Sequence, residues 1–455
     1  MTAASLTAAE VSRVFGKVAF GATAADLDTW TGKSQEALAA HLLSIPSQSE
    51  LLSAQADEPE RLAVSGAATS AGKENGRTQL QAAQSWWLER MRTTRWPLLE
   101  RLTLFWHDHF ATGLGQPYPD VAMMMGQNQL LRVNALGSFA DLVAAVTVDP
   151  AMLYWLDGAR SVKGKPNENY ARELLELFTM GVSPQQFGEV DIREAARALT
   201  GWLVDGQRKA AFDARRHDPG VKTVLGRRIG DLGNQEHLAV RDAALATPAA
   251  AGFVAYKLVQ KLVYEPGPID VTGNADALVA RVRDALRPQW NLRAAVTVIL
   301  KAPELLDPAR QLARQPVEQA VHACKALGIA ADLAAIIQSI DAMGQRLFDP
   351  PNVGGWPVDE EWISPGTSLA RYRLASVVET EARRQADILA VVSPLPAASD
   401  LNGWARRLGL APFTGTTKSV LQGYLESSAR NKSPENQRQK SVMTLVMASP
   451  EWTVM

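Results

Sequence analysis

The chain has 455 residues, with 47 Lys and Arg against 48 Asp and Glu, six His and one Cys. Its apolar share of 46% and charged share of 21% suit a folded globular protein and exclude disorder or a fibrous architecture. A formal charge of -1 removes the electrostatic argument for nucleic-acid binding, which needs a concentrated Lys/Arg surplus to neutralise phosphates.

Cys324 cannot form an intramolecular disulfide, and in the apolar pattern Val321, Cys324, Leu327 it reads as a small core residue. No stretch approaches the ~18 consecutive apolar residues of a membrane span. No basic-then-apolar leader opens the chain, so a cytoplasmic location stays open beside an exported one.

Taken in order, the chain reads as helices of roughly 10–18 residues punctuated by Gly, Pro, Asn and Asp, so the expected class is all-α. The first helix runs from about Ala8 to Gly16, and Thr23-Ala-Ala-Asp26 opens the next with a capping box in which Asp replaces the usual Glu. Positions 53–76, rich in Ser, Gly and Ala, predict a mobile surface segment. Helical periodicity resumes at Thr78 and continues to about Thr112, with a break at Arg95-Trp96-Pro97. Positions 202–232 change texture: Asp205-Gly206 and Pro219-Gly220 are turn signals beside β-prone pieces such as Lys222 to Leu225, which predicts a hairpin-like β/loop insertion. Helices return over Gly252 to Val263 and Leu292 to Lys301. Positions 348–364 form a Pro/Gly/Trp loop, and the polar run Ser427 to Lys440 reads as a connection. No fixed-period repeat is present, so residues 1–455 are expected to make one helical domain with loop insertions.

Dinucleotide, Walker, nucleophile-elbow, zincin and Cys-x-x-Cys motifs are all absent. Four polar clusters remain. In Phe105-Trp-His-Asp-His-Phe110, His109 continues the stripe Leu98, Leu102, Phe105 toward the core, while His107 is turned by about 200° and cannot share a metal with it on an undistorted helix. The bland reading is one buried and one surface His; the functional reading makes either a proton carrier. From Pro166 to Gly181, Asn167 is placed to cap a helix, Tyr170, Leu174, Leu177 and Phe178 form its apolar stripe, and Asn169, Glu173 and Glu176 form a polar line beside it. Glu168 and Arg172 pair at i,i+4, and an ordinary solvated face explains much of this. The third cluster joins Trp202 to His217 and Asp218 on a loop whose Asp-Pro-Gly is also plain turn chemistry. The fourth, Phe348 to Pro357 with Trp362 and Arg371, pairs prolines that stiffen the chain with glycines that let the backbone approach something bulky. Here Asn352, Trp356 and Trp362 offer an amide and flat faces to a ligand, or anchor the loop on the core.

The same segments, Leu104 to Phe110, Asn167 to Gly181, Leu199 to Trp202, His217 to Gly226 and Phe348 to Pro357, resemble a bacterial family known as domain of unknown function 1800. That resemblance implies a predominantly helical, frequently exported protein. It also implies a neighbour-encoded partner resembling alkaline phosphatases and sulfatases.

Two readings follow. In the first, the clusters converge on one cleft of a hydrolase acting on a glycan or other cell-envelope polymer. His107 or His109 carries the proton, Glu173 is the carboxylate partner and Arg172 supports it, while Asn167, Asn169, Trp202, His217, Asp218, Asn352, Trp356, Trp362 and Arg371 hold substrate. A metal-assisted form recruits His217 with a carboxylate around a divalent cation. In the second, the same groups brace loops of a non-catalytic binding or escort protein for the phosphatase/sulfatase-like partner.

Overall fold

Helix starts follow capping chemistry. Thr23 Oγ1 accepts from the Asp26 amide at 3.1 Å while Asp26 Oδ2 accepts from the Thr23 amide at 2.8 Å, and this reciprocal box opens the helix Ala24–Trp30. The computed structural model describes residues 5–53, 70–115, 118–182, 186–268, 270, 275–287, 289–330, 334–384, 395–413 and 415–455. Among these the architecture is mostly all-α, with two small antiparallel two-stranded sheets.

The first helix spans Ala8–Val18, two residues beyond the expected end. Positions 54–69 of the expected mobile segment lie outside the described residues, and helix Ser70–Thr93 already covers its last part. The break at Trp96-Pro97 is real: Ser70–Thr93 ends before it, and Pro97 takes the first position of helix Pro97–His109, where its missing N–H and fixed φ are harmless. The stretch 202–232 holds two hairpins, with Trp202 opposite Phe212 in the first and Lys222 opposite Ile229 in the second. The polar run 427–440 departs from expectation. It is mainly helical, divided between Gly415–Arg430 and Glu435–Met447, because strong helix formers such as Glu, Gln, Lys and Arg need no apolar face to extend helices anchored elsewhere.

Two apolar clusters form the core. One is built mainly by the helices of residues 8–42 and 97–305; the other mainly by Ser70–Thr93 and the helices from Pro316 onward, joined by Val121 and Met123 to Met125. Helix Pro97–His109 is buried along its length and serves both, giving Leu98, Leu102 and Phe105 to the first and Leu104 to the second. Arg101 fixes it there. Its guanidinium donates to the carbonyls of Lys17 (3.2 Å) and Lys261 (2.7 Å), near the ends of two helices, and pairs with Glu318 at 2.7 Å. Glu100 is the matching buried acid, held by Arg132 (2.7 and 2.9 Å), Arg90 (2.7 Å) and the Trp87 indole (3.0 Å).

No single helix among the described residues is long and apolar enough to cross a membrane. The pair Gly233–Leu245 and Pro248–Leu262, bent by 83°, passes that test by length and composition only, and Pro248–Leu262 is buried in the core.

Candidate functional site

The C-terminal end of helix Pro97–His109 meets three other elements around a cavity of about 440 Å³. Asp108 and His109 come from this helix, Glu176 and Leu177 from the segment Leu174–Met180, Phe253, Lys257 and Lys261 from helix Pro248–Leu262, and Val353, Gly354, Trp356 and Val358 from the Pro/Gly/Trp loop; Asp270 also lines it. The volume is that of an ordinary small-molecule site.

Each wall has a local cause. Helix Asn169–Glu173 widens into a π-helix over Leu174–Met180, a rare feature common at functional sites, and Gly181 ends it with φ 81° and ψ 160°, a mirror-extended conformation that only glycine adopts easily. The π-helix leaves the Phe178 carbonyl free near its end, and His109 Nε2–H donates to it at 3.0 Å. Because a carbonyl only accepts, His109 carries its hydrogen on Nε2 and presents a lone pair at Nδ1. Nδ1 is buried without a protein partner. Burial, then the Lys257 ammonium, pushes the His109 imidazole down to about 3, so it is neutral.

Gly355 brings the loop onto the helix end. It has φ +85°, and a Cβ there would stand 2.3 Å from Asp108 Oδ1. That closeness lets the Trp356 amide donate to Asp108 Oδ1 at 2.6 Å, while Asp108 Oδ2 pairs with Lys261 at 2.6 Å. Asp349 ties the loop a second time, accepting the Leu114 amide at 3.2 Å. The Trp356 indole N–H is buried without a partner beside the cavity.

Lys257, one turn before Lys261, has one contact of its own, to Gln260 Oε1 at 3.3 Å, and no carboxylate partner among the described residues. Burial, then Lys261, lowers its amine. Glu176 lies 3.6 Å from Arg172, whose closer partner is Glu189 at 2.8 Å.

Of the residues singled out from the sequence, His109 and Trp356 line this cavity. Glu173 and Arg172 do not; they sit just before the π-helix, with Glu176 from the same polar line in their place. Burial, then Glu176, raises the Glu173 carboxyl. His107 is not a surface residue. It is buried on the opposite side, packed among Trp87, Phe348 and Trp356 with ring centroids 5.3–5.9 Å away, and burial pushes it down to about 4. Asn167 accepts the Asn169 amide at 2.8 Å, so these two Asn serve the helix start. Asn167 and Trp202 flank a second cleft of about 10 Å³, room for about one water. Asp218 is bound to Arg197 at 2.8 Å and accepts the Gly220 amide at 2.9 Å. Asn352 accepts the Gly354 amide at 2.8 Å, shaping the loop. Trp362 is core, and buried Arg371 holds the carbonyls of Arg314 (2.9 Å) and Trp362 (3.2 Å).

His217 does gather acids, since its ligand atom and those of Asp231 and Glu236 lie within 4.8 Å of one another. The group does not fit a metal. His217 Nε2 faces Glu236 Oε1 at 3.0 Å, its Nδ1 faces the Thr200 carbonyl at 2.9 Å, and Lys222 Nζ lies 2.6 Å from Glu236 Oε2. A built-in ammonium already neutralises the buried acid, and neither imidazole nitrogen points a lone pair at an open position.

Sequence reading missed Lys257 and Lys261. The available signal was their i,i+4 spacing inside the otherwise apolar run Gly252 to Val263, which sets two ammoniums on one face of a core helix.

Fold and site together define a mostly all-α protein with a partly buried cavity, lined by apolar and charged side chains, at the junction of its two cores. The profile of the family described as "Protein of unknown function (DUF1800)" matches residues 13–454, and the chain belongs to that family. No curated protein and no solved structure matches the chain.

Proposed function

We propose that the cavity binds a polyhydroxylated fragment of a glycan or other cell-envelope polymer and that the protein is a hydrolase working there by acid/base chemistry. One observation carries the reading: His109, whose Nδ1 is buried without a partner, lines the same cavity as the Glu176 carboxylate and the Lys257 ammonium. Sugar hydroxyls both donate and accept, which suits His109 Nδ1 as acceptor and the Trp356 indole and Lys257 as donors, with Phe253 and Trp356 offering apolar faces. A neutral imidazole at about 3 orients a hydroxyl rather than carrying the proton, so the acid/base role passes to Glu176. The Asp108–Lys261 pair positions the loop that closes one side.

The test is release of reducing ends from envelope polysaccharides and peptidoglycan by the purified chain. Glu176→Gln is expected to lower the rate about 10²–10⁴-fold without changing the melting temperature, and Glu173→Gln to leave it largely intact. Turnover that survives Glu176→Gln contradicts the assignment.

The partner reading has its own support. Ile363, Leu369 and Tyr372 are about half exposed, and the last two neighbour each other at i,i+3 on helix Pro365–Arg384. A phosphatase/sulfatase-like protein docking there would lose affinity on Leu369→Asp with Tyr372→Asp, measured by calorimetry with both proteins purified. An envelope substrate also places the protein in the periplasm or outside the cell, which fractionation of producing cells checks.

A further inference from the structure

The charges around the cavity are unequally matched. Asp108 and Lys261 neutralise one another at 2.6 Å, and Glu176 faces Arg172 at 3.6 Å. Asp270 accepts the Ala275 amide at 2.8 Å. Lys257 is left with an amide oxygen at 3.3 Å. An ammonium taken from water with an amide oxygen as its one close contact is costly, and the lowered amine records that cost, which Asp108 and Glu265 offset only in part from beyond ion-pair distance. An incoming oxyanion would reverse it with a charge-assisted hydrogen bond in a partly buried site. His109 lines the same cavity, and its buried, unpartnered Nδ1 requires a donor and so selects against a bare anion as the whole ligand.

We infer that the cavity's ligand is a hydroxylated molecule carrying one oxyanion, a carboxylate or a sulfate, seated on Lys257 with a hydroxyl donating to His109 Nδ1. This rests on the reading of the cavity as a glycan site and names the class of glycan as acidic. A volume of about 440 Å³ holds one or two sugar rings.

Lys257 itself provides the readout. The purified full-length chain is treated with a limiting amine-acylating reagent, and modification of the Lys257 peptide is followed by mass spectrometry against other lysine peptides as internal references. The added probes are D-galacturonate, galactose 6-sulfate, D-galactose, D-galactosamine and inorganic sulfate. Both acidic sugars are expected to protect Lys257 at concentrations about tenfold below galactose, with galactosamine weakest. The carboxylate and sulfate arms show which oxyanion is preferred. Protection by inorganic sulfate at least equal to that by every sugar keeps the anion seat and overturns the saccharide reading. Equal protection by galactose and galacturonate, with none from sulfate, keeps the saccharide reading and overturns the anion seat. No protection by any probe overturns both. His109→Phe, which fills similar space, is expected to remove the advantage of galacturonate over inorganic sulfate while leaving sulfate protection in place; an unchanged advantage overturns the hydroxyl contact.

Discussion

Replacing Gly355 by Ala strikes the joint on which the cavity depends. The residue has φ +85°, and an added Cβ would come within 2.3 Å of Asp108 Oδ1 and 2.6 Å of the Asp108 carbonyl oxygen. Holding a left-handed conformation costs an L-residue about 1–2 kcal/mol. Relieving the clash moves the loop off Asp108, and losing the Trp356 amide bond to that carboxylate costs about 1.5–3 kcal/mol more. The loop should therefore open more easily by about 2.5–5 kcal/mol. Gly354→Ala is the control, since its φ is not in the positive region and its Cβ would meet only Asn352 Oδ1 at 3.0 Å, on an exposed side chain. Hydrogen exchange reads the difference directly. The Trp356 amide and residues 108–114 should exchange at least about a hundredfold faster in Gly355→Ala and within a few-fold of the parent in Gly354→Ala. Equal exchange in the two variants would refute the proposed close contact.

Three further outcomes are expected. Burial would raise the Glu100 carboxyl, but Arg132 and Arg90 outweigh it and hold it down to about 2; its stabilisation is thus full above about pH 4.5 and lost as pH falls toward 2, and Glu100→Gln should cost about 3–5 kcal/mol at pH 7 by urea unfolding, a cost that shrinks toward pH 2. For His107 the lowered value means that the unfolded chain binds the proton more readily, so stability present above pH 6.5 declines as pH falls toward 4; His107→Phe should stabilise by about 2 kcal/mol more at pH 5 than at pH 8 in the same assay. Because Lys222 neutralises Glu236, elemental analysis should find well below one equivalent of zinc or iron, and Lys222→Met should create metal affinity at His217, Asp231 and Glu236 rather than abolish it.

Much of the helical frame is legible in the sequence because it follows from local rules. Thr23 with Asp26, the break at Trp96-Pro97 and the helix Leu292–Lys301 need only capping and periodicity. His109 could be placed inward from its stripe, and Gly354-Gly355 announced a close approach whose partner proved to be Asp108. The misplacements have non-local causes. His107 is covered by Phe348 and Trp356, more than 240 positions away, which no period along its own helix can reveal. Glu176 rather than Glu173 reaches the cavity because the chain switches at Leu174 to i→i+5 bonding, which breaks the 3.6-residue line drawn through Asn169, Glu173 and Glu176. Lys257 and Lys261 were overlooked because they interrupt an apolar helix that reads as core, whereas the face they share lines the cavity. Isolated turn residues such as Asn352 and Asp218 looked like ligand groups because the same side chains serve both purposes.

The central claim is that ligand occupies the space bounded by His109, Glu176, Lys257 and Trp356, and fluorine resonances of 5-fluorotryptophan report on it most directly. The Trp356 signal is assigned by its loss in Trp356→Phe, and titration with acidic oligosaccharides should shift that signal saturably, with Lys257→Met abolishing the response. Binding that moves the signals of Trp202 or Trp362 and leaves Trp356 still would contradict the account.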